Sequence, residues 1–374
     1  MTRPVLHTRL CDMLGIEYPI VLAGMGVWGQ GTPPALVAAV SEAGGLGVLG
    51  CSGLSPEETR ARIHAVREMT DKPFGVDLLL PASLAPASDT RSGVRAEIER
   101  DYPRHAEFNR KLIRDFGLTE SPVEDEIVIS TEFLKKQIAL IVEEKVPVFA
   151  LGLGNPELVV GEARKVGMKV IGLAGSVRNA VRQKRAGVDI IAAQGTEAGG
   201  HTGRVATMPL VPQTVDQVAP TPVLAAGGIG DGRGIAAALS LGAEGAWIGT
   251  AFLVADECGI PGELKDAIIA ASSPDFVVTR CWTGKTVRSV ANSVYEAWEM
   301  SDLTPLPTPH QRVLMEDFLS AAKRAGRWDL YINAAGQIGG VLTRRKPAAE
   351  IMADLVAGTV AALNGLPGRV RTAA

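Results

Sequence analysis

Apolar and polar positions alternate along this chain in a regular rhythm. Short aliphatic runs of four to seven residues recur, each bounded by glycine or proline and most followed by a stretch of helical period. Pro19-Ile20-Val21-Leu22-Ala23, Leu46-Gly47-Val48-Leu49 and Phe74-Gly75-Val76-Asp77-Leu78-Leu79-Leu80 open the series. Pro147-Val148-Phe149-Ala150-Leu151, Lys169-Val170-Ile171-Gly172-Leu173 and Asp189-Ile190-Ile191-Ala192-Ala193 continue it. Pro222-Val223-Leu224-Ala225-Ala226 and Gly245-Ala246-Trp247-Ile248 complete it. Runs this short with punctuated ends read as buried strands. Between them lie helical patterns with recognisable starts. Ser55-Pro56-Glu57-Glu58 is a capping box with proline at the first helical position. Gly44-Gly45 closes the helix that begins at Pro33.

Eight strands alternating with helices predict a (β/α)8 TIM barrel. An open doubly wound sheet is the alternative, but it usually carries one glycine-rich loop near its start. Here the densest glycine clusters follow the sixth, seventh and eighth strands. Two segments break the rhythm. Residues 81–131 are charged, poor in apolar runs, and hold Pro86, Pro103 and Pro122, with a charged helix expected over 106–116. They are too long for an ordinary loop and read as an insertion after the third strand. Residues 256–345 carry helical patterns, a proline-rich connector and Trp282, Trp298 and Trp328, and read as a mainly helical C-terminal cap. The expected organisation is therefore a barrel over 1–255 with its insertion, a substrate-side cap over 256–345, and a segment 346–374 whose amphipathic helix returns to the barrel wall.

Composition narrows the class. The 374 residues carry 38 basic and 41 acidic side chains, a net charge of −3, which gives no basic footprint for nucleic acid. No apolar run reaches the roughly 18–20 residues that span a bilayer, and the N-terminus lacks the apolar core of a secretory signal. The four cysteines, Cys11, Cys51, Cys258 and Cys281, are widely spaced with no CxxC or zinc pattern, so no metal site is expected. A cytoplasmic protein with reduced thiols follows as the expectation.

The candidate chemistry lies in the loops. After the sixth strand comes Gln194-Gly195-Thr196-Glu197-Ala198-Gly199-Gly200-His201-Thr202-Gly203, with one of only five histidines in the chain. Imidazole is the side chain best suited to proton transfer near neutral pH. The bland alternative is a glycine turn with a surface histidine. After the seventh and eighth strands come Gly227-Gly228-Ile229-Gly230 and Gly249-Thr250. In barrels these two loops often bind phosphate, through bare amides and a helix N-terminus.

Four motifs appear together and in order: Pro19-Ile20-Val21-Leu22-Ala23-Gly24-Met25, Ala43-Gly44-Gly45-Leu46-Gly47, Glu197-Ala198-Gly199-Gly200-His201-Thr202-Gly203 and Ala225-Ala226-Gly227-Gly228-Ile229-Gly230-Asp231-Gly232-Arg233. With them the chain resembles the FMN-dependent nitronate monooxygenases, formerly 2-nitropropane dioxygenases, which are related to flavin-dependent enoyl-acyl-carrier-protein reductases and some NAD(P)H:quinone reductases. The resemblance covers roughly residues 19–252. It implies FMN as cofactor. Ala23, Gly24 and Met25 then approach the isoalloxazine ring, and Gly227, Gly228, Gly249 and Thr250 grip the phosphate. Gln194, Gly199 and Gly200 border the flavin, and His201 is the active-site proton acceptor. Asp77 stands where many relatives carry asparagine, and is either a flavin contact or a strand-end cap.

The implied activity is oxidation of nitronates or nitroalkanes with oxygen. An NAD(P)H-dependent reductase of enoyl thioesters, enones or quinones is the main alternative, and a non-catalytic FMN-binding sensor the lesser one. The implied partner is a small-molecule substrate, with room for a homodimer. Weaker candidates are Glu197 as an orienting carboxylate for His201, and Lys285 and Arg288 as cap cations, for which solvated surface is the simpler reading. Asp231 reads as a helix cap, Trp282 and Trp298 as cap core, and Cys51 as a packed thiol.

Overall fold

The computed structural model describes residues 5–26, 31–80, 88, 90–125, 130–154, 156–366 and 368. Pro86 of the expected insertion lies outside the described residues, as does the segment 369–374. The eight apolar runs all form strands: β1 (Ile20–Leu22), β2 (Gly47–Gly50), β3 (Phe74–Leu79), β4 (Val148–Gly152), β5 (Lys169–Ala174), β6 (Ile190–Gln194), β8 (Val223–Ala226) and β9 (Gly245–Ile248), with the two-residue β7 (Gly200–His201) between β6 and β8. Their order is β1-β9-β8-β6-β5-β4-β3-β2, with every neighbouring pair parallel. The ring closes through Val21 and Leu46: the Leu22 amide donates to the Leu46 carbonyl at 2.9 Å, and the Leu46 amide to the Ile20 carbonyl at 3.0 Å. This is the (β/α)8 barrel, and closure removes every open edge.

Strand side chains alternate between two cores. Val21, Val48, Val148, Ile190 and Leu224 point inward together, while Ile20, Leu49, Val76, Phe149 and Ile191 face the surrounding helices. The helix Arg9–Leu14 plugs the N-terminal end with Leu10, Cys11 and Leu14. Arg9 ties it to Glu244, at the start of β9, at 2.5 Å. Towards the other end the inward positions shrink to Ala23, Ala150, Ala192 and Ala226. Small side chains there leave space inside the C-terminal mouth, and that space becomes the site.

The helices between the strands start as their caps dictate. Ser55 accepts from the Glu58 amide at 3.1 Å, and the Glu58 carboxylate accepts from the Ser55 amide at 2.8 Å. Asp231 accepts from the amides of Arg233 and Gly234, so it caps the helix Gly232–Ser240. The long helix Ala348–Gly365 lies against that helix, so closely that a Cβ on Gly232 would meet the Thr359 nitrogen at 2.1 Å.

Over the mouth, the insertion and the C-terminal region share one layer. The insertion forms two helices, Arg91–Asp101 and Pro103–Asp115, rather than the single one expected over 106–116. Both pack on His310–Arg324, where Val94, Ile98, Leu112 and Ile113 join Val313, Leu314 and Phe318 in a common core. Polar groups cross the same seam: Arg95 pairs with Asp317 at 2.7 Å, and His310 meets Glu97 at 2.9 Å. The C-terminal region also holds an antiparallel hairpin, β10 (Phe276–Thr279) and β11 (Val287–Val290). It went unread in the sequence because Val287-Arg288-Ser289-Val290 carries neither a clean alternation nor a tight-turn signal. No helix among the described residues is long and apolar enough to cross a membrane.

Candidate active site

All twelve residues singled out as catalytic or cofactor-binding line one cavity of 470 Å³ at the C-terminal mouth of the barrel. They are Ala23, Gly24, Met25, Asp77, Gln194, Gly199, Gly200, His201, Gly227, Gly228, Gly249 and Thr250. The C-terminal halves of β1, β3, β6, β8 and β9 and the loops that follow them bring these residues together.

His201 stands on the glycine loop after β6, and the loop is not free. Residues Gly200–His201 form β7, which pairs antiparallel with β11, so the C-terminal hairpin clamps the histidine. Gln194 donates from its side-chain amide to the His201 carbonyl at 3.0 Å. The Thr202 hydroxyl donates to the Gly195 carbonyl at 3.1 Å. Arg288 is buried and holds the Thr196 carbonyl with Nη2 at 2.9 Å and Nε at 3.2 Å. The surface reading of Arg288 is therefore corrected: it fastens the hairpin to the loop. Glu197 does not serve His201 either. Its carboxylate takes the Thr207 amide at 3.0 Å and the Thr207 hydroxyl at 2.9 Å. The helix Thr207–Val218 begins after Ala206, which has no capping side chain, and Glu197 supplies the missing acceptor.

One nitrogen of the His201 imidazole meets a hydroxyl. Nε2 lies 3.3 Å from the Thr283 hydroxyl, which itself donates to the Lys285 carbonyl at 3.3 Å. When the hydroxyl makes that bond, its oxygen accepts from Nε2–H and the lone pair falls on Nδ1. Burial pushes the imidazole pKa down to about 4, and the positive charges of Arg312 and Lys285 push the same way. The ring is neutral at physiological pH.

Asp77 lies across the barrel interior on β3, 5% exposed. Its Oδ1 is buried with no hydrogen-bond partner among the described residues. Burial alone drives its carboxyl pKa up from 3.8 to about 8. Gly24 passes directly over it: a Cβ there would sit 2.3 Å from the Asp77 Cβ. Only glycine allows that crossing. Gly227 and Gly228 adopt φ of 91° and 72°, which turn the chain after β8 into the cavity wall. The Thr250 hydroxyl accepts from the Gly336 amide at 2.9 Å, which leaves its O–H to donate. The helix Gly232–Ser240 presents no free N-terminus here, because Asp231 already caps it. The short helix Thr250–Leu253 begins in the wall instead.

Several lining residues were not read as site residues in the sequence. Trp282, Thr283, Arg312, Glu316, Ile332 and Ile338 all come from the C-terminal region, far from the barrel motifs. Trp282 and Trp298 are core residues, as expected, with Trp298 edge-on to Phe108 of the insertion at 4.9 Å. Cys51 is fully buried, and burial pushes its thiol up to about 12, so it is a packed thiol and no nucleophile. No cluster of metal-ligating side chains occurs among the described residues.

The sequence profile of the nitronate monooxygenase family matches residues 7–358. The chain belongs to this family. It is 35% identical over 359 residues to a "Probable nitronate monooxygenase" of Staphylococcus aureus, covering 93% of this chain and 96% of that one. FabK from Thermotoga maritima superposes with a TM-score of 0.77 at 31% identity, over 98% of this chain and all of its own. A nitroalkane oxidase from Streptomyces ansochromogenes superposes with a TM-score of 0.82 at 29% identity, over 96% of this chain and all of its own. Family membership makes the protein an oxidoreductase and implies a flavin. The cavity fits one: it combines an orphaned buried carboxyl oxygen, a close backbone crossing at Gly24 and glycine amides around one mouth.

Proposed function

We propose that the enzyme is an FMN-dependent nitronate monooxygenase that oxidises nitronates or nitroalkanes with oxygen, with His201 as the proton acceptor. The observation that carries this reading is a neutral histidine, clamped by the β11 hairpin, in the same cavity as the glycine turns and Asp77. Gly227, Gly228, Gly249 and Thr250 would hold the FMN phosphate through their amides and the Thr250 hydroxyl. Ala23, Gly24 and Met25 would lie along the ring, and a protonated Asp77 would donate a hydrogen bond to a carbonyl of its pyrimidine edge. Bound there, the flavin supplies the redox chemistry.

The chain's own part is placement and proton management. For a nitroalkane, a ring nitrogen lone pair of His201 can take the α-proton and leave the nitronate, while the contact of Nε2 with Thr283 steadies the ring; a nitronate arrives already deprotonated and needs no such step. Trp282, Leu319, Ile332 and Ile338 supply apolar wall that keeps water away from the reacting atoms.

The likeness to FabK favours one other reading, an NAD(P)H-dependent reductase of enoyl thioesters, enones or quinones. Anaerobic mixing separates the two. A nitronate that bleaches the bound flavin rapidly, with NADH and NADPH inert, is the expected result; rapid bleaching by either nicotinamide sinks the monooxygenase reading. His201→Ala should keep its flavin and lose turnover by about 10²-fold or more. Near-normal turnover would remove His201 from proton transfer.

A further inference from the structure

Arg312 enters the cavity from the helix His310–Arg324, on the side opposite the barrel strands. Its Nε donates to Oε1 of Glu316, one helical turn on, at 2.6 Å. The other Glu316 oxygen is held by Arg91, a buried residue of the insertion. Arg91 is itself anchored to the Asp125 carbonyl at 3.0 Å. Glu316 is only 5% exposed; burial opposes its charge, but Arg312 and Arg91 together hold its carboxyl below the ordinary range. The carboxylate is thus saturated from both sides. Arg91 takes the oxygen that a bidentate pair with Arg312 would need, so among the described residues the Arg312 fork is engaged through Nε alone. Its Nη1 and Nη2 have no hydrogen-bond acceptor among the described residues, although the side chain lines the cavity.

We propose that Arg312 is the substrate-binding cation of this site: its two Nη groups grip the paired anionic oxygens of the substrate, and Glu316 with Arg91 holds them in that pose. The proposal rests on the nitronate reading and adds the residue that selects for it. A nitronate carries its charge on two oxygens of one planar group, and a guanidinium offers two parallel N–H donors at matching spacing. Arg312 and His201 line one cavity, and the Arg312 charge is felt at the imidazole, so an anion held by the first shares the space of the second. Arg91 and Glu316 touch no substrate and are positioning residues. They also give the insertion a task, since the helix Arg91–Asp101 starts at the residue that sets the pose.

The test uses the flavin-loaded enzyme with two probes: propyl-1-nitronate for turnover, and nitrate, a planar oxyanion that is not turned over, for calorimetric binding. Arg312→Gln should raise the nitronate KM by about 10- to 100-fold, with kcat changed by less than about threefold, and should weaken nitrate binding by a similar factor. Arg312→Lys, which keeps the charge but loses the fork, should fall between the two. Added guanidinium should restore KM in Arg312→Ala, a recovery that a purely structural role would not give. An unchanged KM and unchanged nitrate binding in Arg312→Gln overturn the proposal, as does a wild-type enzyme that binds no nitrate. Should the wild type turn over no nitronate, the functional reading fails. The nitrate titration of wild type against Arg312→Gln and Arg312→Lys still decides the anion site.

Discussion

Asp77→Asn isolates the electrostatics of the barrel interior. The side chain is 5% exposed, its Oδ1 has no partner among the described residues, and the backbone of Gly24 lies against it. Burial raises its pKa from 3.8 to about 8. The sign follows from linkage. A group whose folded pKa is raised lends its full stability below the unfolded pKa, and that stability is lost as pH climbs towards the folded value. Between pH 5 and pH 7 the unfolded chain holds an ionised Asp77, while the folded chain holds a protonated one. Each pH unit in that window costs the folded state about 1.4 kcal/mol relative to the unfolded chain. Over the two units the wild type should lose about 3 kcal/mol that the variant, with its uncharged and nearly isosteric amide, does not. Water entering the cavity would lower that figure, so it is an upper bound.

The assay is urea unfolding of flavin-free wild type and variant at pH 5, 6 and 7, read by tryptophan fluorescence. Omitting the ligand keeps binding energy out of the comparison. The variant should gain on the wild type steadily as pH rises. Parallel stabilities across the range would refute the reasoning, because they would mean that Asp77 ionises in the folded state as readily as in the unfolded one.

Three further outcomes follow from the same geometry. Gly24→Ala would force a Cβ to within 2.3 Å of Asp77, so the purified variant should retain little flavin and melt earlier, by overpacking on the order of 1–3 kcal/mol; a yellow protein of normal melting temperature would contradict it. Glu316→Gln should cost about 3–5 kcal/mol in thermal or urea unfolding, since it removes the carboxylate that joins Arg91 and Arg312. The pH profile of kcat/KM should show no His201 limb between pH 6 and 8 and should fall below about pH 5, where protonation of a ring with a pKa of about 4 begins to remove the acceptor. A His201 midpoint near the ordinary 6.5, identified by its absence in His201→Asn, would show the ring to be solvated.

Much of this protein was written in local pattern. The eight strands came from apolar runs, because a strand buried on both faces needs a near-continuous aliphatic stretch. Ser55 and Asp231 announced their helices, because a cap is a bond between near neighbours in the chain. Glycines at strand ends marked the mouth, since Gly24, Gly227 and Gly228 occupy places where a Cβ or a negative φ would not fit. His201 stood out by residue type and by the loop around it.

Other features were decided only when distant parts of the chain met. Glu197 lies four residues from His201, yet it serves Thr207, because the helix behind it begins without a capping side chain. Arg288 reads as an ordinary surface cation until β11 pairs with β7, and then the Thr196 carbonyl is within its reach. Arg91, Arg312 and Glu316 join across 225 positions of sequence, and no spacing rule links them. Sequence alone therefore determined the barrel and the place of its glycine-lined mouth, since both rest on burial pattern and backbone geometry acting over a few residues. The tertiary structure decided which charges face the cavity and how the histidine is held. Those depend on which side chains share a desolvated space, and only packing brings them there.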